Sequence, residues 1–290
     1  MIKKVFKWVL IIVGILVVIV LILSAVVYFK TESRINKTYT VSLQPVTVPS
    51  DSAAYEMGKH TAQNRGCLGC HGADLSGGRN FMEEGSPVGS IYAVNITSGK
   101  GGIQYTDADW IRALRHGLNK ENKSFWFMPS HELYHISNQE MGSLIHFLKQ
   151  QPPVDKENRK SEIKPLGRML VFMNEFPLLT AEMIDHDAKP VEEYRPEVTA
   201  AYGRYLATTC EGCHLKTLKG APAHTKVEPD IPNISATGNL GKWTAEDFIT
   251  VMHTGKTPEG KQLTEYMPYK YFTYTDDELK AIFLYLQSVK

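Results

Sequence analysis

Every cysteine of this 290-residue chain falls in one of two pentads, Cys67-Leu68-Gly69-Cys70-His71 and Cys210-Glu211-Gly212-Cys213-His214. Thiols three positions apart lie on one side of a helical turn, and the next residue carries an imidazole. This C-x-x-C-H spacing is that of c-type haem attachment: two thioethers hold the porphyrin edge, and the histidine ligates the iron. A zinc site would require further cysteines or a spaced histidine pair. A thioredoxin-like redox motif would require only one copy, in a βαβ setting. Duplication of the whole pentad, using all four cysteines, therefore points to two covalently bound c-type haems. Four thioethers leave no thiol for a disulfide or for axial ligation, so cohesion must come from packing around the haems. The haem-free chain is expected to fold poorly.

Each iron then needs a decision on its opposite face. Met-Pro occurs at Met128-Pro129, 57 residues after His71, and at Met267-Pro268, 53 residues after His214. Proline fixes its own φ and keeps the preceding residue extended, so each thioether is presented with little backbone freedom. A methionine beside proline also packs readily on aromatic rings, here Phe125-Trp126-Phe127 and Tyr266. Recurrence in register favours ligation, with His71 and Met128 on one iron and His214 and Met267 on the other. That pairing raises the reduction potential and fills both axial positions. His116, His131, His135 and His253 compete by proximity. None has a histidine at the matching place: Arg115 stands opposite His253 and Thr254 opposite His116. They read as surface or supporting residues, and His60, His146, His186 and His224 carry no signal.

The elements that must position these groups repeat as well. Asn95-Ile96-Thr97 returns as Asn233-Ile234-Ser235, Tyr105 to Trp110 as Trp243 to Phe248, and Phe147-Leu148 as Tyr285-Leu286. The offset narrows from 143 at the pentads to 138 or 139 at the later motifs, consistent with small insertions between two copies of one unit. Each copy reads as helical. A short helix with small residues (Ala54, Gly58 and Ala62, or Gly203 and Ala207) leads into the pentad. A second helix is capped by Thr106 or Thr244 and stops near Gly117 or Gly255. A last helix starts at Ser137 or Thr275. The predicted domains are 53–152 and 198–290, joined by a proline-containing segment, 153–197, in which Leu166 to Phe176 forms a short amphipathic helix packed in the seam.

Ahead of these lies an apolar run from Trp8 to Phe29, preceded by Lys3, Lys4 and Lys7 and closed by Lys30. Its length spans a bilayer core and exceeds the apolar region of a signal peptide, about 7–15 residues. Residues 1–30 are therefore expected to form an uncleaved transmembrane anchor, and residues 31–52, with Pro45 and Pro49, an extended linker. The flanking charges nearly balance and do not orient the span. Formal net charge is +1, with no basic stripe suited to nucleic acid.

Several stretches carry a family resemblance: Cys67 to Gly72 with Asp74-Leu75-Ser76-Gly77-Gly78, then Asn95-Ile96-Thr97, Gly102-Ile103, Tyr105 to Trp110 and Met128-Pro129. Their counterparts in the second half include Met267-Pro268-Tyr269 and Thr275 to Leu286. Each half resembles a class I cytochrome c domain, and more closely the haem domains of membrane-bound cytochrome c subunits serving bacterial alcohol, aldehyde and gluconate dehydrogenases. The resemblance implies an all-α fold, an N-terminal transmembrane helix followed by two tandem class I cytochrome c domains. The first and last helices of each domain would cross where Gly58 meets the Phe147 region and Gly203 meets Tyr285. A carbonyl or loop near Pro87 and Pro229 would hold the proximal imidazole. It also implies the bacterial cytoplasmic membrane, with the haem domains on its periplasmic face. The resembled subunits carry three haem domains, whereas this chain has two.

The expected function is electron transfer in a respiratory chain, between a dehydrogenase or quinol-oxidising complex and a terminal oxidase or reductase, with no catalytic residue. Two alternatives stay open. A dihaem peroxidase would need one displaceable ligand and an acid/base group, such as His131 or Glu132 near Met128. A haem sensor, or a purely structural subunit of a larger respiratory complex, is the other.

Overall fold

Helix α1 (Ile2–Ile35) is apolar all round, and none of its central window is buried in the protein. The computed structural model describes residues 2–223 and 229–290; Met1, where the expected anchor starts, and His224 lie outside them. Among the described residues α1 is the helix long and apolar enough to cross a membrane. It continues five residues past the end of the expected anchor at residue 30. The chain beyond it lies along the globule: the Tyr39 amide donates to the Asn122 carbonyl at 2.9 Å, and Leu43, Val46 and Val48 pack on the main core. Burial of these side chains draws the 31–52 stretch down onto the protein.

The first helical set comprises α2 (Ser52–Asn64), α3 (Cys67–His71), α4 (Asp107–His116) and α5 (Asn138–Lys149). Helix α2 packs on α5 at Gly58, where any Cβ would collide with the Ser143 carbonyl and the Phe147 side chain. The second set repeats the order with α7 (Ala200–Leu206), α8 (Thr208–His214), α9 (Ala245–Thr254) and α10 (Asp276–Ser288). Helix α7 packs on α10 at Gly203, against the Ala281 carbonyl. That contact lies about one turn before the expected Tyr285, at the position matching Ser143.

Helix ends follow local chemistry. Thr106 and Thr244 cap α4 and α9 in reciprocal boxes with Asp109 and Asp247, and Thr275 does the same for α10 with Glu278. Ser137 caps α5. Gly117 and Gly255 stop their helices at φ +64° and +72°, a left-handed conformation that suits glycine.

Between the sets, the chain wraps the first one. Strand β1 (Gly89–Ser90) pairs antiparallel with β2 (Glu162–Ile163), and α6 (Pro165–Phe172) follows. Helix α6 ends four residues short of the expected Phe176, and it packs on α1 rather than in the seam. Arg168 joins Glu32 at 2.8 Å, and Arg34 donates to the Val171 carbonyl at 2.6 Å. Val171, Ile91, Leu178 and Leu179 form a small core of their own. The segment then returns to α5, where the Asn138 amide donates to the Val191 carbonyl at 2.9 Å. The main core runs through both sets, from Leu144 and Ile145 to Leu279, Ile282 and Leu286.

Candidate haem-binding sites

Helix α3 carries Cys67, Cys70 and His71 on little more than one turn, and α8 carries Cys210, Cys213 and His214 likewise. His71 Nδ1 donates to the Val94 carbonyl at 2.8 Å, and His214 Nδ1 donates to the Pro232 carbonyl at 2.8 Å. A carbonyl can only accept, so each ring is held as the Nδ1–H tautomer with Nε2 basic and available to a metal. Burial lowers the pKa of both histidines, against the raising effect of the carbonyl hydrogen bond, and so favours the neutral ring that a metal binds. These carbonyls lie seven residues beyond Pro87 and three beyond Pro229.

Each of these carbonyls belongs to the residue just before the repeated Asn-Ile-Thr/Ser. Asn95 Oδ1 accepts from the amide and hydroxyl of Thr97 at 3.0 and 2.8 Å, and Asn233 Oδ1 from those of Ser235 at 2.8 and 2.7 Å. These Asx turns fix the chain direction at the preceding carbonyl. The repeated tripeptide was thus the signal in the sequence for the imidazole's partner.

Burial pushes the Cys67 and Cys210 thiols up to about 12 and raises those of Cys70 and Cys213. Burial of this kind disfavours the thiolate on which a redox C-x-x-C pair depends. Among the described residues, no three His, Cys, Asp or Glu side chains converge as a metal cage.

Cys67, Cys70, His71 and Met128 line one cavity of about 1,090 Å³, walled by Trp110 and Leu114 among others. Its size is at the upper end for organic ligands, and its apolar walls with a few placed polar groups suit a large flat cofactor. Met128 enters from a tight turn: the Ser130 amide donates to the Met128 carbonyl at 2.8 Å, with Pro129 at φ −79° and ψ +49°. At Met267 the Tyr269 amide donates to the Met267 carbonyl at 2.8 Å, with Pro268 at φ −81° and ψ +40°. The two Met-Pro turns share one inverse γ geometry. The structure thus brings the first four residues into one cavity; for the second set it places three on one helix and Met267, half-buried, on the matching turn.

The first cavity is closed partly by the second helical set, including Tyr205, Thr208, Glu211 and Gly212. Two residues that sequence reasoning undervalued lie at this junction. Arg65, two positions before Cys67 and 7% exposed, donates to Thr208 Oγ1 at 2.6 Å, Thr209 Oγ1 at 3.2 Å and the Tyr205 carbonyl at 3.3 Å. Glu132 sits against Gly212, and burial raises its carboxyl to about 7, with Arg65 pulling down and Glu211 pushing up. The one sequence signal for Arg65 was a charge where the other copy has Thr208, whereas Glu132 was read only as an acid/base group near Met128.

The competing histidines have other partners. His116 Nδ1 faces His186 Nδ1 at 3.1 Å, His135 meets Thr208 at 3.1 Å, and His253 pairs with Asp276 at 2.9 Å. His116 is buried rather than at the surface. His131 and His135 line the cavity wall.

A cytochrome c family model matches residues 200–290. The chain is 28% identical, over 84% of its length, to the cytochrome c subunit of a quinone-linked alcohol dehydrogenase from Gluconacetobacter polyoxogenes, and 27% identical over 83% to the corresponding subunit from Gluconobacter oxydans. It spans 57% and 55% of those relatives. A dihaem c-type cytochrome from Cereibacter sphaeroides is 27% identical over 77% of this chain and 82% of its own length. Residues 200–290 of this mostly helical protein are therefore a cytochrome c domain, and the chain is a relative of dehydrogenase cytochrome c subunits and of a dihaem cytochrome c.

Proposed function

We propose that the chain is a membrane-anchored dihaem c-type cytochrome, passing electrons in a respiratory chain between a dehydrogenase or quinol-oxidising complex and a terminal oxidase or reductase. In this reading residues 53–152 and 198–290 are two class I cytochrome c domains on the periplasmic face of a bacterial cytoplasmic membrane, held there by α1. Cys67 and Cys70 hold one haem, and Cys210 and Cys213 the other. His71 with Met128, and His214 with Met267, ligate the two irons. Bound haem supplies one-electron Fe(III)/Fe(II) chemistry. The chain's own residues do positional work: the Val94 and Pro232 carbonyls fix the imidazole tautomers, the Met-Pro turns restrict the thioethers, and apolar walls exclude water. One recurrence carries the reading, namely the same imidazole–carbonyl pair and the same Met-Pro turn in both halves.

Protein made alongside a haem-attachment system is expected to stain for haem after denaturing electrophoresis and to show two haems by intact mass. Cys70→Ala and Cys213→Ala should each lose or loosen one. Met128→His and Met267→His should each remove half of the weak near-red Met-to-iron band and lower one of two reduction potentials. Wild-type protein without covalent haem would overturn the reading. Rapid cyanide binding with peroxide turnover would move it to the dihaem peroxidases.

A further inference from the structure

Helix α6 shows two apolar faces. Gly167 and Val171 are buried, with Gly167 against the Val88 carbonyl and Ile163. Leu166, Met169, Phe172 and the following Met173 are 43, 50, 41 and 51% exposed. At about 100° per residue these four fall on one continuous arc of the helix. A soluble protein has little reason to leave such a stripe in water.

Its position explains it. The Arg168 guanidinium lies over the Tyr28 ring at 4.5 Å, donates to Thr31 Oγ1 at 3.2 Å and pairs with Glu32 at 2.8 Å. Tyr28 is one residue from the end of the Trp8–Phe29 apolar run, and Glu32 is the first acidic residue after it. If that run fills the bilayer core of about 30 Å, Tyr28 and Thr31 mark the headgroup level. Arg34 adds a second clamp, through the Val171 carbonyl at 2.6 Å and Glu182 at 2.6 Å. Helix α6 is therefore fixed beside α1 at that depth.

We propose that α6 is an interfacial membrane helix whose Leu166–Met169–Phe172–Met173 face inserts among lipid headgroups and upper acyl chains, so that the globule rests on the bilayer in one orientation. The inference rests on reading α1 as a membrane anchor. An apolar arc on a helix clamped to the end of a membrane span takes lipid as its occupant, because burial there needs no partner-specific complementarity. Together α1 and α6 hold the globule at two points, which removes the free rotation that a single flexible tether would allow.

The test uses the full-length haem-loaded protein in nanodiscs of mixed neutral and anionic phospholipid. A fraction of that lipid carries a photoactivatable diazirine high on one acyl chain. Cross-links mapped by mass spectrometry are expected in α1 and in Leu166–Met173, and not at Leu284 on α10, which is 44% exposed and serves as the apolar control. Met169→Gln with Met173→Gln should reduce labelling of α6 about tenfold, from lost apolar burial, while α1 labelling and haem content stay unchanged. Labelled α1 with unlabelled α6 overturns this proposal and leaves the anchor intact; such a face would be free for a protein partner. Unlabelled α1 overturns the anchor reading, and this inference with it.

Discussion

His116 and His186 share one hydrogen bond between two Nδ1 atoms, so one ring must donate and the other accept. Burial, then His186, Arg115 and Arg112, lower His116 to about 4; burial likewise lowers His186. A base whose folded pKa lies below its unfolded value of about 6.5 stabilises the protein above that value. The contribution fades as pH falls from about 6.5 towards 4, a loss of the order of 1–3 kcal/mol. Urea midpoints at pH 7.5, 5.5 and 4.5 should show this slope, and His116→Leu should flatten it. Glu132 behaves with the opposite sign. Its raised pKa means that the folded state holds the proton more tightly, so its contribution is full below about 4.5 and is lost as pH rises through about 7. Glu132→Gln should therefore stabilise the protein at pH 8 relative to wild type, with little difference at pH 4.5. At this scale the pentad helices and the Met-Pro turns recur in both halves, because each pattern lies in consecutive residues and folds locally. The carbonyls that meet the imidazoles, expected near Pro87 and Pro229, belong to Val94 and Pro232, seven and three residues further on, since a carbonyl acceptor has no side-chain signature.

Among the elements, the two small-residue crossings carry the tightest packing. Gly58 and Gly203 each let a helix approach a neighbouring carbonyl too closely for any Cβ. Gly58→Val and Gly203→Val should each cost about 1–3 kcal/mol or more, because backbone and not a pliable side chain must move. Thermal melts of the haem-loaded variants read this directly, and Gly14→Val in α1, with open space around it, should leave the globule's melt unchanged. The helix starts at Thr106, Thr244, Ser137 and Thr275 were readable because caps are local: one hydroxyl satisfies an amide three residues on. The destination of α6 was not. Its pattern shows an apolar face but not which surface receives it, and its ties to α1 cross 137 residues of sequence.

At the level of the whole molecule, the two helical sets are joined by an exchange of caps. Tyr205 of α7 uses its hydroxyl to accept from the Ser137 amide, at the start of α5, at 2.9 Å. In return, Asn64 of α2 accepts from the Thr273 amide at 2.7 Å, and His60 donates to Glu278, in the cap of α10, at 2.9 Å. Arg65 adds the tie from the first pentad to the segment before the second. No repeat or spacing announces these contacts, because they pair dissimilar residues across the pseudo-symmetric halves. Under the proposed electron-transfer function they hold the two haem sites at a fixed separation, which sets how fast an electron crosses between them. Arg65→Leu should cost about 1–3 kcal/mol, since the guanidinium bonds are lost. With the other cross-ties left, among them His135 to Thr208 at 3.1 Å, both halves should stay folded and keep their haem. Adding His60→Leu should uncouple them: the wild type is expected to melt in one calorimetric transition and the double variant in two, and protease should cut the variant more readily within 190–199. Flash-induced electron exchange between the sites should slow in step with that loosening. A double variant that melts in one transition, with unchanged exchange, would show that the shared apolar core alone sets the relative position of the halves.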